Sequence, residues 1–361
     1  MKKFISLLLV LAMVFALAAC GGKSNNNSAN VDEDPYYTLK WAGQHGATHV
    51  YTIEFINRFA KEIEEKSNGH IKIEAYPGEQ LGKAADYLSM IQTGLIDIAN
   101  IDTGLNVAEF PLHGAWQLPG AFDTAWQGTP ALNEMKENGM LKAEMEKNGV
   151  VNLGCFTIPG YVLFYNSDKA IIMPEDIKGK TIRATGKARC AAVEMLGATV
   201  VSMAASDISE ALYKKSIDGC VSSANAGINY GYYEMANKCT AGMALGGLDG
   251  GYMMSKKVFD SMPEKYQKMM KETAFECSMH VAKILDDQLE EDLTVKIASK
   301  AEVIMLNEEQ KAAWAEAVKD VAKVWLDGVP DKEAGKKVVE ERNKTYADEA
   351  IAKKYQAYFT D

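Results

Sequence analysis

Arginine is scarce in this 361-residue chain: Arg58, Arg183, Arg189 and Arg342 stand against 35 lysines. A guanidinium presents five donors in a planar fork, a shape that grips a carboxylate with two parallel hydrogen bonds. Arg183 lies in Thr181-Ile182-Arg183-Ala184, which reads as a strand, just before Gly186. Open α/β sheets place their ligands at such C-terminal strand ends. Residue type alone leaves two roles open for Arg183, a carboxylate grip or a surface ion pair, and the latter contributes little. Arg189 opens the next helix and is its nearest rival. Arg58, on the polar face of a helix, and Arg342, among Glu340, Glu341 and Lys344, read as solvated. Further candidates come from other strand ends: Gln44 and His45 after the first strand, Asp102 and Thr103 after Ile96 to Ile101. Asp102 suits a hydrogen bond to a ligand hydroxyl and equally suits a turn or helix cap. His45 and His49 share one short segment, but a glycine separates them and no third donor is near, so no metal site is expected.

The elements that would position these residues alternate. Leu39 to Ala42 reads as a strand, and Val50 to Lys66 as a helix with Ile53, Ile56, Ala60 and Ile63 on one face, stopped at Ser67-Asn68-Gly69. Ile71 to Ala75 alternates as a strand up to Pro77-Gly78, and a helix from about Ala84 to Thr93 ends at Gly94. Pro111 to Pro130 reads as loop-rich, and Ala131 to Asn148 as helical. Strands are expected at Val150 to Phe156, Tyr161 to Tyr165, Thr181 to Ala184, Gly219 to Ser222 and Glu302 to Leu306, with a strand at Met253-Met254 returning to the first part of the chain. Glu264 to about Lys300 has neither Pro nor Gly and keeps helical spacing, longer than one domain needs. The alternation argues an α/β fold with mostly parallel sheets.

The first residues read as processing signal. Met1-Lys2-Lys3 is followed by an uncharged run from Phe4 to Ala19, short for a membrane span and right for a secretory h-region. Leu17-Ala18-Ala19-Cys20 then resembles the lipobox of bacterial lipoproteins, which implies a lipid on Cys20. Residues 21–35 lack the apolar side chains needed to fold, and as a coil would reach on the order of 20 Å. From Cys20 onward 342 residues carry a formal charge of −12. That length calls for two domains, and that charge speaks against nucleic acid and a polybasic membrane patch. The remaining cysteines, Cys155, Cys190, Cys220, Cys239 and Cys277, form no Cys-x-x-Cys pair and read as buried thiols.

Several segments together resemble the substrate-binding proteins of tripartite ATP-independent periplasmic (TRAP) transporters, the DctP-like family. They are Phe59 to Gly69 with Ile71-Lys72-Ile73, Tyr76 to Gly82, Gly94-Leu95-Ile96-Asp97-Ile98, and Pro174 to Arg183. Leu196-Gly197-Ala198, Val201-Ser202-Met203, Glu210-Ala211-Leu212, Ile217-Asp218-Gly219, Tyr233 to Ala236 and Met262-Pro263-Glu264 follow in order. The resemblance covers Leu39 to about Ala274. It implies a two-lobe periplasmic-binding-protein-like α/β fold with central mixed sheets, a ligand cleft between the lobes and a long helix spanning both. The implied division is a signal peptide at 1–19, a lipidated tether at 20–36, a first lobe from 37–157 plus about 250–285, a second from 158–249 plus about 286–330, and a C-terminal helical segment at 331–361.

In the family the arginine matching Arg183 pairs with the substrate carboxylate, and positions matching Gln44, His45, Asp102 and Thr103 line the cleft. Sugar-acid binders carry a second arginine where this chain has Tyr161, an asparagine is common where Ser222 stands, and an aromatic where Ala205 stands. A lost charge and gained room, with Tyr161, Phe164, Tyr230 and Tyr232 as flat walls, imply a bulky or aromatic monocarboxylate as ligand. The resemblance further implies hinge closure over the ligand, delivery to ion-gradient-driven TRAP membrane subunits, no cofactor, and a protein exported and held at the membrane only by its lipid. No Gly-x-Ser-x-Gly, His-Glu-x-x-His, P-loop or Gly-x-Gly-x-x-Gly after the first strand is present, so no enzyme is expected. A receptor for an ATP-driven transporter or a sensory kinase shares the two-lobe logic and stays open as an alternative.

Overall fold

The computed structural model describes residues 34–159 and 161–351, so the expected leader, most of the tether and the last ten residues lie outside the described part. Eleven strands are described: β1 (Tyr37–Ala42), β2 (Ile71–Tyr76), β3 (Ile98–Asn100), β4 (Val150–Ile158), β5 (Tyr161–Tyr165), β6 (Thr181–Arg183), β7 (Thr199–Val201), β8 (Gly219–Ser223), β9 (Lys238–Ala241), β10 (Leu248–Ser255) and β11 (Glu302–Met305). They form two sheets, ordered β2-β1-β3-β10-β4 and β11-β9-β5-β8-β6-β7. Both are mixed. β1 runs parallel to β2 and β3, whereas β10 runs antiparallel to β3 and β4. In the second sheet β5 is antiparallel to β8 and β9, and β6 is parallel to β7 and β8. The sequence alternation suggested mostly parallel pairing. Each antiparallel pair described involves β5 or β10, the strands that follow the two crossings between the sheets.

Those crossings join the lobes. β4 closes the first sheet and β5 opens in the second; β9 lies in the second sheet and β10 returns to the first. The helices are α1 (Arg58–Lys66), α2 (Tyr87–Thr93), α3 (Ala125–Glu137), α4 (Met140–Lys147), α5 (Lys187–Met195), α6 (Ile208–Tyr213), α7 (Ala224–Asn229), α8 (Tyr232–Met235), α9 (Lys256–Asp260), α10 (Glu264–Glu291), α11 (Glu308–Ala317), α12 (Val321–Asp327) and α13 (Lys332–Ala347). The 28-residue α10 packs on β4, α3 and α1 of the first lobe. Its continuation, a π-turn over Asp292–Lys296, packs on α7 of the second and leads into β11. Among the described residues no helix is long and apolar enough to cross a membrane.

The first sheet is held by aromatic packing. Trp41 in β1 meets Phe59 and Tyr252 edge-on, with ring centroids 5.6 and 4.9 Å apart; such pairs add about 0.5–1.5 kcal/mol beyond area burial. Phe55 completes the cluster. It presses so closely on β4 that a Cβ at Gly154, whose φ is +132°, would stand 2.5 Å from its ring. The helix before it departs from its expected face: Ile53 is 46% exposed, while Phe55 and Phe59 are buried. A π-turn over Thr52–Asn57 adds residues to the turn and breaks the 3.6 phase.

The helical stretch expected over 131–148 is present as two helices, and it begins earlier, inside what reads as loop. α3 starts at Ala125 and contains Pro130. Its first turn is capped by Thr124 and by the Asp286 carboxylate, which accepts from the amides of Ala125 and Trp126 at 2.8 Å each. Glu341, on α13, accepts in the same way from the Met140 amide at the start of α4. These caps come from far along the chain, where no local pattern shows them. Replacing Asp286 by Ala should cost about 1 kcal/mol of stability, read as a lower urea midpoint at unchanged slope; an unchanged midpoint contradicts the assignment.

Candidate functional site

β6 ends at Arg183, and the side chain turns inward: the residue is 4% exposed. Its Nε and Nη2 both donate to the carbonyl of Met203, at 3.0 and 2.7 Å. That fixes the side-on edge of the guanidinium and leaves the end-on edge, between Nη1 and Nη2, without an acceptor among the described residues. Arg189, one turn into α5, is also buried. It donates to the carbonyls of Thr185 and Gly247, and its guanidinium carbon lies 4.2 Å over the Tyr161 ring. Its Nε has no partner among the described residues. Neither arginine forms an ion pair among the described residues.

The first lobe faces them with strand ends. Gln44 donates to the Asn100 side chain, and Asn100 donates to the Gly251 carbonyl, tying β1, β3 and β10 together. Half-buried Asp102 accepts from the Gly104 amide at 2.8 Å. Burial raises its pKa, opposed by the charges of Arg183 and Arg189. Thr103 is buried and donates to Asp249, whose carboxylate also accepts from Gln117 and lies 3.8 Å from the Lys136 ammonium. The lobes touch here: Gly186 donates to the Gly104 carbonyl at 3.2 Å, and a Cβ on Gly186 (φ +81°) would stand 1.8 Å from the Gln117 oxygen. Any other residue at 186 would be strained at this φ and would displace the Gln117 side chain.

A second contact between the lobes is aromatic. His45 Nδ1 and the Tyr230 hydroxyl are 2.7 Å apart. The His45 and His49 rings lie 4.2 Å apart and tilted by 34°, and Tyr230 stacks on Tyr232 at 5.7 Å with planes 8° apart. Burial holds His45 down at about 3, and burial followed by the neighbouring His45 holds His49 well below the usual histidine range. Both rings are neutral at ordinary pH. Among the described residues no group of three or more acidic, histidine or cysteine side chains is arranged to hold a metal.

The structure thus brings Arg183, Gln44, His45, Asp102, Thr103 and Tyr161 to the region between the sheets. Ser222 is buried on β8 beside β5 and makes no side-chain hydrogen bond among the described residues, while its neighbour Ser223 caps α7. Phe164 and Tyr232 are not site walls. Phe164 fills the core of the second lobe, and Tyr232 packs with it, donating to the Ala205 carbonyl. Arg342, expected in solvent, is buried and donates to the Ala115 carbonyl; burial lowers its pKa to about 10. Arg58 is partly exposed and paired with Glu62, as its helix position suggests. All five described cysteines are free thiols, and burial pushes Cys155 and Cys220 up to about 12. Sequence reasoning missed Met203, Gln117, Lys136, Asp249 and Tyr51. Only Asp249 left a signal, an acid between two glycine pairs in Gly246-Gly247-Leu248-Asp249-Gly250-Gly251.

Residues 42–327 match the family model described as bacterial extracellular solute-binding protein, family 7, DctP. The chain belongs to this family. Family 7 proteins are solute-binding proteins, not enzymes, and relatives and solved structures agree. A solute-binding protein of Albidiferax ferrireducens is 28% identical over 60% of this chain and 63% of its own length, so the chain spans less than two thirds of that relative. A TRAP solute-binding protein from an unidentified marine microbe, specific for aromatic acid ligands and solved with 3-hydroxybenzoate, superimposes with a TM-score of 0.79. It is 21% identical and covers 87% of this chain and 98% of its own. A TRAP periplasmic solute-binding protein from Rhodoferax ferrireducens with bound malonate gives 0.77, at 24% identity over 86% and 99%. At these identities the likeness is one of fold: two-lobe TRAP binding proteins.

The neutral histidines make stability depend on pH. His45 has a folded value of about 3 against 6.5 when free, so the unfolded chain takes up the proton first. Stability is full above pH 6.5 and declines as pH falls toward 3, by about 2 kcal/mol between pH 7 and 5 for this ring. Urea midpoints should fall over that interval, and less so in His45→Gln. Equal pH slopes in the two proteins contradict the account.

Proposed function

We propose that this protein is the extracytoplasmic receptor of a TRAP transporter and holds a small aromatic monocarboxylate between its lobes, with the carboxylate on Arg183. The observation that carries this reading is the free end-on edge of a buried guanidinium whose other edge is pinned to Met203. A carboxylate fits that edge with two charge-assisted hydrogen bonds. Net charge supports a single carboxylate. Arg183, Arg189 and Lys136 face Asp102 and Asp249, an excess of one positive charge that one anion neutralises. Tyr161, flattened under Arg189, and Tyr230 offer ring faces for an aromatic body, with Ser222 beside Tyr161's strand. Gln44, His45 and Asp102 approach from the first lobe, and Thr103 holds its loop against Asp249. The aromatic acid bound by the marine relative fits this lining, whereas malonate in the second neighbour brings two charges.

Binding proceeds by closure about the β4–β5 and β9–β10 crossings, which brings His45 to Tyr230 and Gly104 to Gly186. Exclusion of water then strengthens the pair between guanidinium and carboxylate. A thermal-shift panel of organic acids identifies ligands, because a molecule that binds the folded state raises Tm. With benzoate and 3-hydroxybenzoate as probes, Arg183→Ala should lose about 2–5 kcal/mol of binding in calorimetry, and Arg183→Lys should recover part of it. Unchanged affinity in Arg183→Ala overturns the proposal.

The Ala18-Ala19-Cys20 sequence supports lipidation of Cys20, which would hold the receptor at the membrane beside its transporter subunits. Fractionation of cells should find the protein with membranes and Cys20→Ala outside them. A membrane-bound Cys20→Ala protein rules out the anchor.

A further inference from the structure

The region between the sheets also holds polar groups that a carboxylate on Arg183 does not use. His49 is 3% exposed and accepts a hydrogen bond at Nδ1 from the Tyr51 amide, 3.1 Å away, so its neutral ring carries the proton on Nε2. That Nε2 has no partner among the described residues, and neither has the hydroxyl of Tyr51, which is 4% exposed. The two rings stand 4.6 Å apart and both lie against His45, whose ring nitrogen meets Tyr230 of the other lobe. A buried donor left without an acceptor costs about 1–3 kcal/mol. Two such groups side by side at a lobe contact specify a partner for themselves.

We infer that His49 and Tyr51 form a second subsite, which receives an uncharged oxygen, a hydroxyl or a carbonyl, on the edge of the ligand opposite its carboxylate. This rests on Arg183 holding that carboxylate. Tyr230, proposed above as a ligand wall, stands beside this pair: its ring centroid lies 5.5 Å from that of His49. A ligand ring lying on Tyr230 therefore has an edge within reach of His49 and Tyr51. The far group is uncharged for an electrostatic reason. Burial holds His49 and His45 neutral, so neither ring answers a second carboxylate with a charge, and the Lys296 ammonium is already paired with Asp292 at 2.7 Å. His49 Nε2–H donates to the oxygen, and the Tyr51 hydroxyl donates to it or accepts from it.

The test compares benzoate with its three hydroxy isomers and with isophthalate and terephthalate, by calorimetry, on the wild type, Tyr51→Phe, His49→Phe and Arg183→Ala. In the wild type at least one hydroxybenzoate should bind about tenfold tighter than benzoate, and neither dicarboxylate should exceed benzoate. Tyr51→Phe and His49→Phe should each bring the hydroxybenzoate preference close to one while leaving benzoate affinity nearly as it was. Because the Tyr51 hydroxyl has no partner among the described residues, Tyr51→Phe should also keep or raise Tm, which loss of a structural hydrogen bond would not do. Hydroxybenzoates no tighter than benzoate, or a preference that survives both substitutions, overturn the subsite while Arg183-dependent benzoate binding leaves the receptor reading standing. Benzoate binding indifferent to Arg183→Ala, or no binding of any of these acids, overturns the receptor reading and the subsite with it.

Discussion

A guanidinium withdrawn from water costs several kcal/mol unless its donors are matched and its charge is answered. At Arg183 the first condition is met on one edge, by a single backbone carbonyl, and the second is met by no side chain that pairs with it directly. Much of the surrounding architecture serves to make that tolerable. β6 is only three residues long and lies between β7 and β8, so the backbone at Arg183 is held on both sides. The Met203 carbonyl sets the plane of the fork, and Asp102 supplies partial compensation from the opposite lobe. Arg189 and Tyr161 add a second cation over an aromatic face, which keeps the region positive overall.

That constraint explains why the site is divided between two sheets. An anion held wholly by one lobe would keep its other face in water and gain little from charge. Polar contacts between the lobes include a histidine–tyrosine hydrogen bond, one backbone bond at Gly104 and Gly186, and a bond from the Ser206 hydroxyl to Glu79. Each is weak alone and each needs the lobes together. Behind that contact Trp41, Phe55, Phe59 and Tyr252 form one aromatic cluster in the first lobe.

The sequence showed those parts of this arrangement whose cause is local. Strand ends at Gln44, Asp102 and Arg183 follow from alternation broken by turn residues, and Asn68, Gly69 and Gly94 stop their helices with positive φ. The long α10 announced itself through the lack of Pro and Gly. What stayed hidden depends on distant partners. α3 begins before Pro130 because Asp286, some 160 positions away, caps it. Arg342 looked solvated among charged neighbours, yet it is drawn into the protein by the Ala115 carbonyl. Lys136 had the look of a surface helix position, and only the fold sets it against Asp249. Phe164 and Tyr230 are indistinguishable as sequence, and packing makes one core and the other a lobe contact.

The most direct measurement is a crystal structure of the protein with benzoate bound. The account places the two carboxylate oxygens about 2.7–2.9 Å from Nη1 and Nη2 of Arg183, with the ring between Tyr161 and Tyr230 and the lobes closed over it. A carboxylate found on Arg189, Lys136 or the outer surface, with the end-on edge of Arg183 bonded to water, would contradict it.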